Sequence, residues 1–167
     1  MLIRPVRADD WEALRDVRLA ALADSPDAFA VTLAEEREAN EAHWRSWITG
    51  EGWDGAVATC VADDAGTLLG MAVGFHPDDE PGVVHLFAMW VTPERRKEGI
   101  GRSLVEAVVA WTAEHPGIDR VSLRVTETNV DAARFYGSCG FVDTRLPPEP
   151  LREGSVLSTR RMQRLIS

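Results

Sequence analysis

The densest chemistry in this sequence lies at residues 91–103, Val-Thr-Pro-Glu-Arg-Arg-Lys-Glu-Gly-Ile-Gly-Arg-Ser. Arg95, Arg96, Lys97 and Arg102 crowd one point of an otherwise acidic chain. Gly99 and Gly101 stand where an apolar run gives way to a helical pattern. Glycine lets backbone N–H groups come close to a ligand and take conformations closed to other residues. The first turn of a helix has free N–H donors and a positive dipole end. Together these describe an anion site that suits a pyrophosphate. A plain helix N-terminus with solvating cations is the simpler alternative. Four further residues could move protons. His85 is polar on an otherwise apolar stretch, and imidazole titrates close to neutrality. A core histidine with one satisfied hydrogen bond fits it equally. Glu36 sits in an acidic helix start, where a solvated carboxylate is also expected. Glu127 follows a later strand and is a weaker third choice. Tyr136, the only tyrosine, lies beside Phe135 in an apolar helical stripe, where packing alone would also place it.

Known phosphate loops can be compared with the turn. A Walker loop needs Lys-Ser/Thr after its second glycine, and Ile100-Gly101-Arg102 does not supply it. A Rossmann fingerprint wants a third glycine near Leu104 and normally follows the first strand. The remaining match is Arg/Gln-x-x-Gly-x-Gly/Ala, here Arg96-Lys97-Glu98-Gly99-Ile100-Gly101. One strand later, Asn129, Ala132, Tyr136, Gly140 and Phe141 fit Asn-x-x-Ala-x-x-x-Tyr-x-x-x-Gly-Phe. On these two motifs, spanning residues 83–141, the chain resembles the GNAT N-acetyltransferases.

The resemblance implies an α/β fold in one domain, residues 1–167. Its central sheet is mixed, mostly antiparallel, of about seven strands, with helices on both faces. It implies acetyl-CoA as co-substrate and no metal. The central strand and the next splay apart, and Met89, Trp90 and Val91 pair with pantetheine as another strand would. The Met89 N–H would hold the oxyanion. Arg96, Lys97, Glu98, Gly99, Ile100 and Gly101, with Arg102 and Ser103, would hold the pyrophosphate. Asn129, Ala132 and Phe135 would line the other side, and Tyr136 would return a proton to the departing thiolate. His85 resembles the place where some relatives carry a glutamate base. Glu36 lies on the helix region that often shapes the acceptor pocket. The implied reaction is direct transfer of acetyl to a primary amine of a small molecule or peptide. The alternative is a CoA-binding regulatory or interaction module of the same fold with little catalysis. Polyamine, amino acid, antibiotic amine and protein amine all stay open as acceptor, as does a longer acyl group.

Bulk properties agree with such an enzyme. The 167 residues, 45% hydrophobic and 27% charged, suffice for one sizeable core without staples. No apolar run is long enough to cross a bilayer, and residues 1–10 carry charge where a signal peptide needs an apolar stretch. A cytoplasmic protein with no membrane partner is expected. Cys60 and Cys139 are far apart and read as buried reduced thiols. The four histidines show no metal-ligand spacing. A net charge of −9 argues against nucleic-acid binding. It permits steering of a cationic substrate, though a soluble acidic surface explains it as well. Oligomeric state stays open, a homodimer included. Trp44, Trp47 and Trp53 could line an acceptor pocket or simply pack.

The periodicity orders the elements. A strand at residues 2–7 precedes a helix from Asp9, with Glu12 at capping-box spacing. Leu14, Val17, Ala21 and Leu22 form its stripe, with Arg18 between the faces, and Ser25-Pro26-Asp27 stops it. A second helix is predicted over residues 34–49. A hairpin follows, with turn chemistry at residues 63–66 and a nearly bare face of Gly70, Ala72 and Gly74. Residues 83–91 read as a strand buried on both sides. If it alternates regularly, His85, Phe87 and Met89 point the same way. A β-bulge between His85 and Met89 would reverse that parity. A helix over residues 99–114, a strand at 121–125 and a short helix capped by Asn129 follow. The end reads as strand, Pro-rich loop and strand.

Overall fold

The computed structural model describes residues 1–167. Strand β1 (Leu2–Pro5) leads through a 3₁₀ turn into helix α1 (Trp11–Asp24), then α2 (Leu33–Arg37) and α3 (Glu41–Thr49). Strands β2 (Gly55–Asp64), β3 (Thr67–Pro77) and β4 (Val83–Val91) form a meander. Helix α4 (Ile100–Trp111), β5 (Arg120–Thr126) and α5 (Val130–Ser138) follow. Two-residue strands β6 (Val142–Asp143) and β7 (Glu149–Pro150) precede β8 (Ser158–Leu165). All lie in one eight-stranded sheet of order β1-β2-β3-β4-β5-β8-β6, with β7 also on β8. Only β4 and β5 run parallel. The expected mixed, mostly antiparallel sheet is present, and the two shortest strands bring its number to eight.

Each face carries its own core. On one, Leu104, Val105 and Val108 of α4 pack on Val84, Leu86, Val121 and Leu123. On the other, Leu14, Val17 and Leu22 of α1 and Trp47 of α3 pack on Val61, Met71 and Val73. Burying each such side chain is worth about 1.5–3 kcal/mol. The bare face of β3 is the seat of α4. A Cβ on Gly74 would lie 2.8 Å from Val108 Cγ1, and one on Gly70 would lie 3.3 Å from Leu104 Cδ1.

Strand β4 does not alternate regularly. Phe87 pairs with Val73 and Trp90 with Met71, so Ala88 and Met89 together face Ala72. Ala88 has φ +50°. This is a β-bulge, and it reverses the parity of the strand. Val84 and Leu86 belong to the α4 core, whereas beyond the bulge Met89 and Val91 take that side. Phe87, Ala88 and Trp90 pack towards α1. His85, two residues before Phe87, shares the α1 side. Of the two arrangements the sequence left open, the bulge is the one present, and His85 and Met89 point to opposite faces. Burial of β4 on both sides is overturned: His85, Phe87 and Met89 are only half-buried.

Three local expectations also change. The predicted helix at 34–49 is two helices, because two starts are capped within it. Thr32 and Glu35 form a reciprocal capping box, and Asn40 Oδ1 accepts from the His43 N–H at 3.0 Å. Helix α1 begins after a 3₁₀ turn at Ala8–Asp10, and Asp10, not Asp9, accepts the Arg7 N–H at 2.6 Å. Arg18 is not between faces. It continues the Leu14–Leu22 stripe at i, i+4 spacing and is only 4% exposed.

Candidate active site

Strands β4 and β5 pair only from Val83 to His85, against Arg120 to Ser122. Beyond that they part, and β5 keeps its other edge fully paired with β8. The gap opens a cavity of about 530 Å³ that passes through the sheet. Its walls are residues 85–89 of β4 and 122–126 of β5. On the α5 side it meets Asn129, Ala132 and Tyr136, and on the α1 side Arg18, Phe29, Glu36 and Trp47.

The glycine turn lies on the α5 side. Lys97 and Gly99 take left-handed conformations, φ +66° and +85°. No backbone N–H from residues 97–102 donates a hydrogen bond within the protein. The α4 ladder starts with Ser103 N–H on Gly99 O at 3.1 Å. A Cβ at Gly99 would meet nothing within 4 Å. A run of free amides, a positive helix end and open space fit the pyrophosphate of acetyl-CoA. Gly101 has a different role. A Cβ on it would lie 2.8 Å from Met89 Cε and 3.2 Å from Phe135 Cζ, so Gly101 lets β4, α4 and α5 close up.

The cations of the turn are mostly committed elsewhere. Arg95 pairs with Asp64 and Glu98. Arg96 pairs with Asp24 at the end of α1 and donates to Val91 O at 2.9 Å. Arg102 donates to Ser138 O at 3.0 Å. Lys97 alone among them forms no ion pair or side-chain hydrogen bond. Acidic neighbours hold two of these four charges, those of Arg95 and Arg96. The Ser103 hydroxyl donates back to Gly99 O, and Ile100 is core. The Trp90 side chain faces α1, where Nε1–H donates to Asp24 at 2.9 Å, and the Val91 side chain is buried. For these residues the backbone, not the side chain, is what a cofactor could use.

The second motif is built as its sequence suggests. Asn129 Oδ1 accepts the Ala132 N–H at 3.1 Å and starts α5. Gly140 takes φ +87°, and the Phe141 N–H returns to Tyr136 O at 3.1 Å. This fixes Tyr136 at the cavity wall, its ring between Phe135 and Phe141. Burial, with Cys139 adding to it, pushes the phenol above its ordinary range. It stays protonated at working pH, as a proton donor must.

On the α1 side, Glu36 is not the solvated carboxylate that its acidic surroundings allowed. It is 6% exposed, 3.8 Å from Arg18 Nη2 and 3.0 Å from His43 Nε2. Trp47 Nε1 lies 3.2 Å from the same His43 nitrogen, and His43 opens onto an outer cleft with Trp53, Glu80 and His85. His85 lines both spaces and bonds Glu80 at 2.8 Å. Glu127 lies outside the cavity, 3.9 Å from Arg160. Trp44 is wholly buried. Sequence reasoning missed Arg18, His43, Phe29 and Phe87. The stripe position of Arg18 and the Asn40 cap were the available signals.

The chain belongs to the acetyltransferase (GNAT) family, whose profile matches residues 16–141. It is 31% identical over 145 residues to mycothiol acetyltransferase of Salinispora tropica, covering 83% of this chain and 42% of that one. A mycothiol acetyltransferase of Thermobispora bispora is 31% identical over 136 residues, covering 79% and 43%. The chain thus spans less than half the length of these relatives. Among solved structures, a GCN5-related N-acetyltransferase from Kribbella flavida superposes with TM-score 0.76 at 25% identity, covering 99% and 97%. The Salmonella typhimurium protein yncA, solved with its cofactor acetyl-CoA, has the same fold, TM-score 0.78 at 19% identity, covering 100% and 94%.

Proposed function

We propose that this chain is an acetyl-CoA-dependent N-acetyltransferase, a single domain that transfers acetyl directly to a primary amine. The observation that carries the reading is the cavity through the splayed sheet. It joins the neighbourhood of a free-amide turn on one face to a buried carboxylate on the other. Residues 97–102 hold the pyrophosphate through backbone N–H groups. Met89, Trp90 and Val91 offer strand backbone to pantetheine, and Asn129, Ala132 and Phe135 line its other side. The Met89 N–H polarises the thioester carbonyl.

The amine enters from the α1 side. An alkyl ammonium has a pKa of about 10.4 and must lose a proton before attack. Glu36 takes that proton and His43, 3.0 Å away and open to the outer cleft, passes it out. His85, bonded to Glu80 at the cavity mouth, is second in line. As the carbon–sulfur bond breaks, Tyr136 gives its proton to the thiolate. Buried free thiols at Cys60 and Cys139 suit a reducing cytoplasm.

Thiol release tests this. Millimolar acetyl-CoA should raise the melting temperature, by an amount worth about 2.7 kcal/mol at a hundred times its Kd. Thiol should then appear only when an amine from a broad panel is added. An unchanged melt with no calorimetric binding would refute the assignment.

A further inference from the structure

Arg18 is the most anomalous polar group in the molecule. It is 4% exposed and forms no hydrogen bond. Its Nε and Nη1 are buried without a partner. Its guanidinium lies 4.8 Å from the Phe29 ring centre and 5.2 Å from that of Trp47. Only Nη2 has an opposite charge near it, Glu36 Oε1, and at 3.8 Å that is not a hydrogen bond. A buried cation with unsatisfied donors is costly to keep. An apolar side chain at this stripe position would pack without that cost. Yet Arg18 is on the cavity wall, beside the Glu36 carboxylate.

We propose that Arg18 is the acceptor's carboxylate anchor, so that the substrate is a primary amine bearing a carboxylate next to it, an amino-acid-like zwitterion. This rests on the acyltransferase reading and names its substrate class. The two protein charges, 3.8 Å apart, are spaced like the ammonium and carboxylate of an α-amino acid, with signs reversed. The ligand carboxylate takes Nη2, the one guanidinium nitrogen that is not sealed by protein, with the unpaired Nε and Nη1 behind it leaving the cation's charge uncompensated. The ammonium then falls to Glu36, which leads its proton towards His43. In balance, the ammonium loses one proton through Glu36, its nitrogen bonds the acetyl carbon and the carbon–sulfur bond breaks. The thiolate gains a proton from Tyr136, and the second proton shed by the nitrogen restores the phenol. Phe29, Trp47 and Phe87 surround the site and favour an apolar side chain on the substrate. A polyamine, which places only cations beside Arg18, is disfavoured despite the acidic surface.

Matched substrates test this on the wild-type enzyme. A series of α-amino acids is assayed by thiol release with saturating acetyl-CoA, each beside its amide and its decarboxylated amine, with spermidine included. At least one amino acid should exceed both of its carboxylate-free partners tenfold or more in kcat/KM. In Arg18→Lys and Arg18→Gln that advantage should collapse, mainly through KM. The acetyl-CoA-induced rise in melting temperature should persist and report the fold. Amides or plain amines that match or exceed the amino acid in every pair would overturn the inference and leave the acyltransferase standing. So would an acetyl-CoA complex that neither binds nor acetylates any amino acid. Failure to bind acetyl-CoA at all would instead sink the reading beneath it.

Discussion

Glu36 Oε2 lies 3.0 Å from His43 Nε2, and the two residues belong to different short helices held in register by separate N-caps. One end of the pair is sealed in the cavity and the other reaches the outer cleft. A continuous helix over this stretch would have put both on one element seven positions apart, two turns, about 10 Å along the axis. The break at residues 38–40 is what brings them to proton-transfer distance.

Glu36→Gln should therefore lower kcat at saturating amine by about 10²–10⁴-fold at neutral pH, the usual worth of a general base. The loss should shrink as pH rises, because more amine arrives neutral. His85→Ala should cost less, since His85 stands at the mouth with Glu80. A pH–rate profile left unchanged by Glu36→Gln but altered by His85→Ala would exchange their roles.

Tyr136→Phe should retain acetyl-CoA affinity and lose turnover, because the hydroxyl is needed only as the thiolate leaves. The expected fall is about 10²–10⁴-fold in kcat. Calorimetry and single-turnover thiol release separate the two quantities. A rate within about twofold of wild type, with chemistry limiting, would reduce Tyr136 to its packing with Phe135 and Phe141.

Gly99→Val and Gly101→Val should both weaken acetyl-CoA by about tenfold or more, for different reasons. At Gly99 a Cβ meets no protein atom, so the damage is to the turn, whose left-handed φ of +85° costs a β-branched residue about 1–2 kcal/mol. At Gly101 the side chain must push Met89 and Phe135 apart, so the melting temperature should fall further. Normal affinity in Gly99→Val would exclude this turn as the phosphate site.

Asp24 ties the turn to α1. Hydrogen bonds from Trp90 Nε1 and from Arg96 hold its carboxyl at about 2, below the ordinary 3.8. A depressed acid contributes stability above its unfolded pKa and loses it as pH falls through the folded one. The contribution, about 1–2 kcal/mol after solvent screening, should vanish between about pH 4 and pH 2. Asp24→Asn should flatten that part of the denaturation profile and weaken acetyl-CoA through the loosened turn. An acid limb identical to wild type would show that the latch carries no stability.

Most elements, and both motifs within residues 83–141, could be read because their signals are local. Alternation in β3, the Gly99-Ile100-Gly101 turn, the Asn129 cap and Gly140-Phe141 all act within a few residues, and the structure keeps each. The bulge at Ala88 could be named from sequence as one of two possibilities but not decided, since it depends on register against Ala72 and leaves no mark in composition. The fate of the turn's arginines was equally hidden. Asp24 and Asp64 lie far away in sequence, and only folding sets them beside Arg96 and Arg95. Arg18 and Glu36 show the same division most sharply. Their charge made exposure the natural expectation, and burial came from a wall assembled from α1, α2, α3 and two diverging strands. Sequence determines which residues can bind phosphate or move protons. The cost of burying a charge depends on what surrounds it in three dimensions, so only the tertiary structure decided which of them face the cavity.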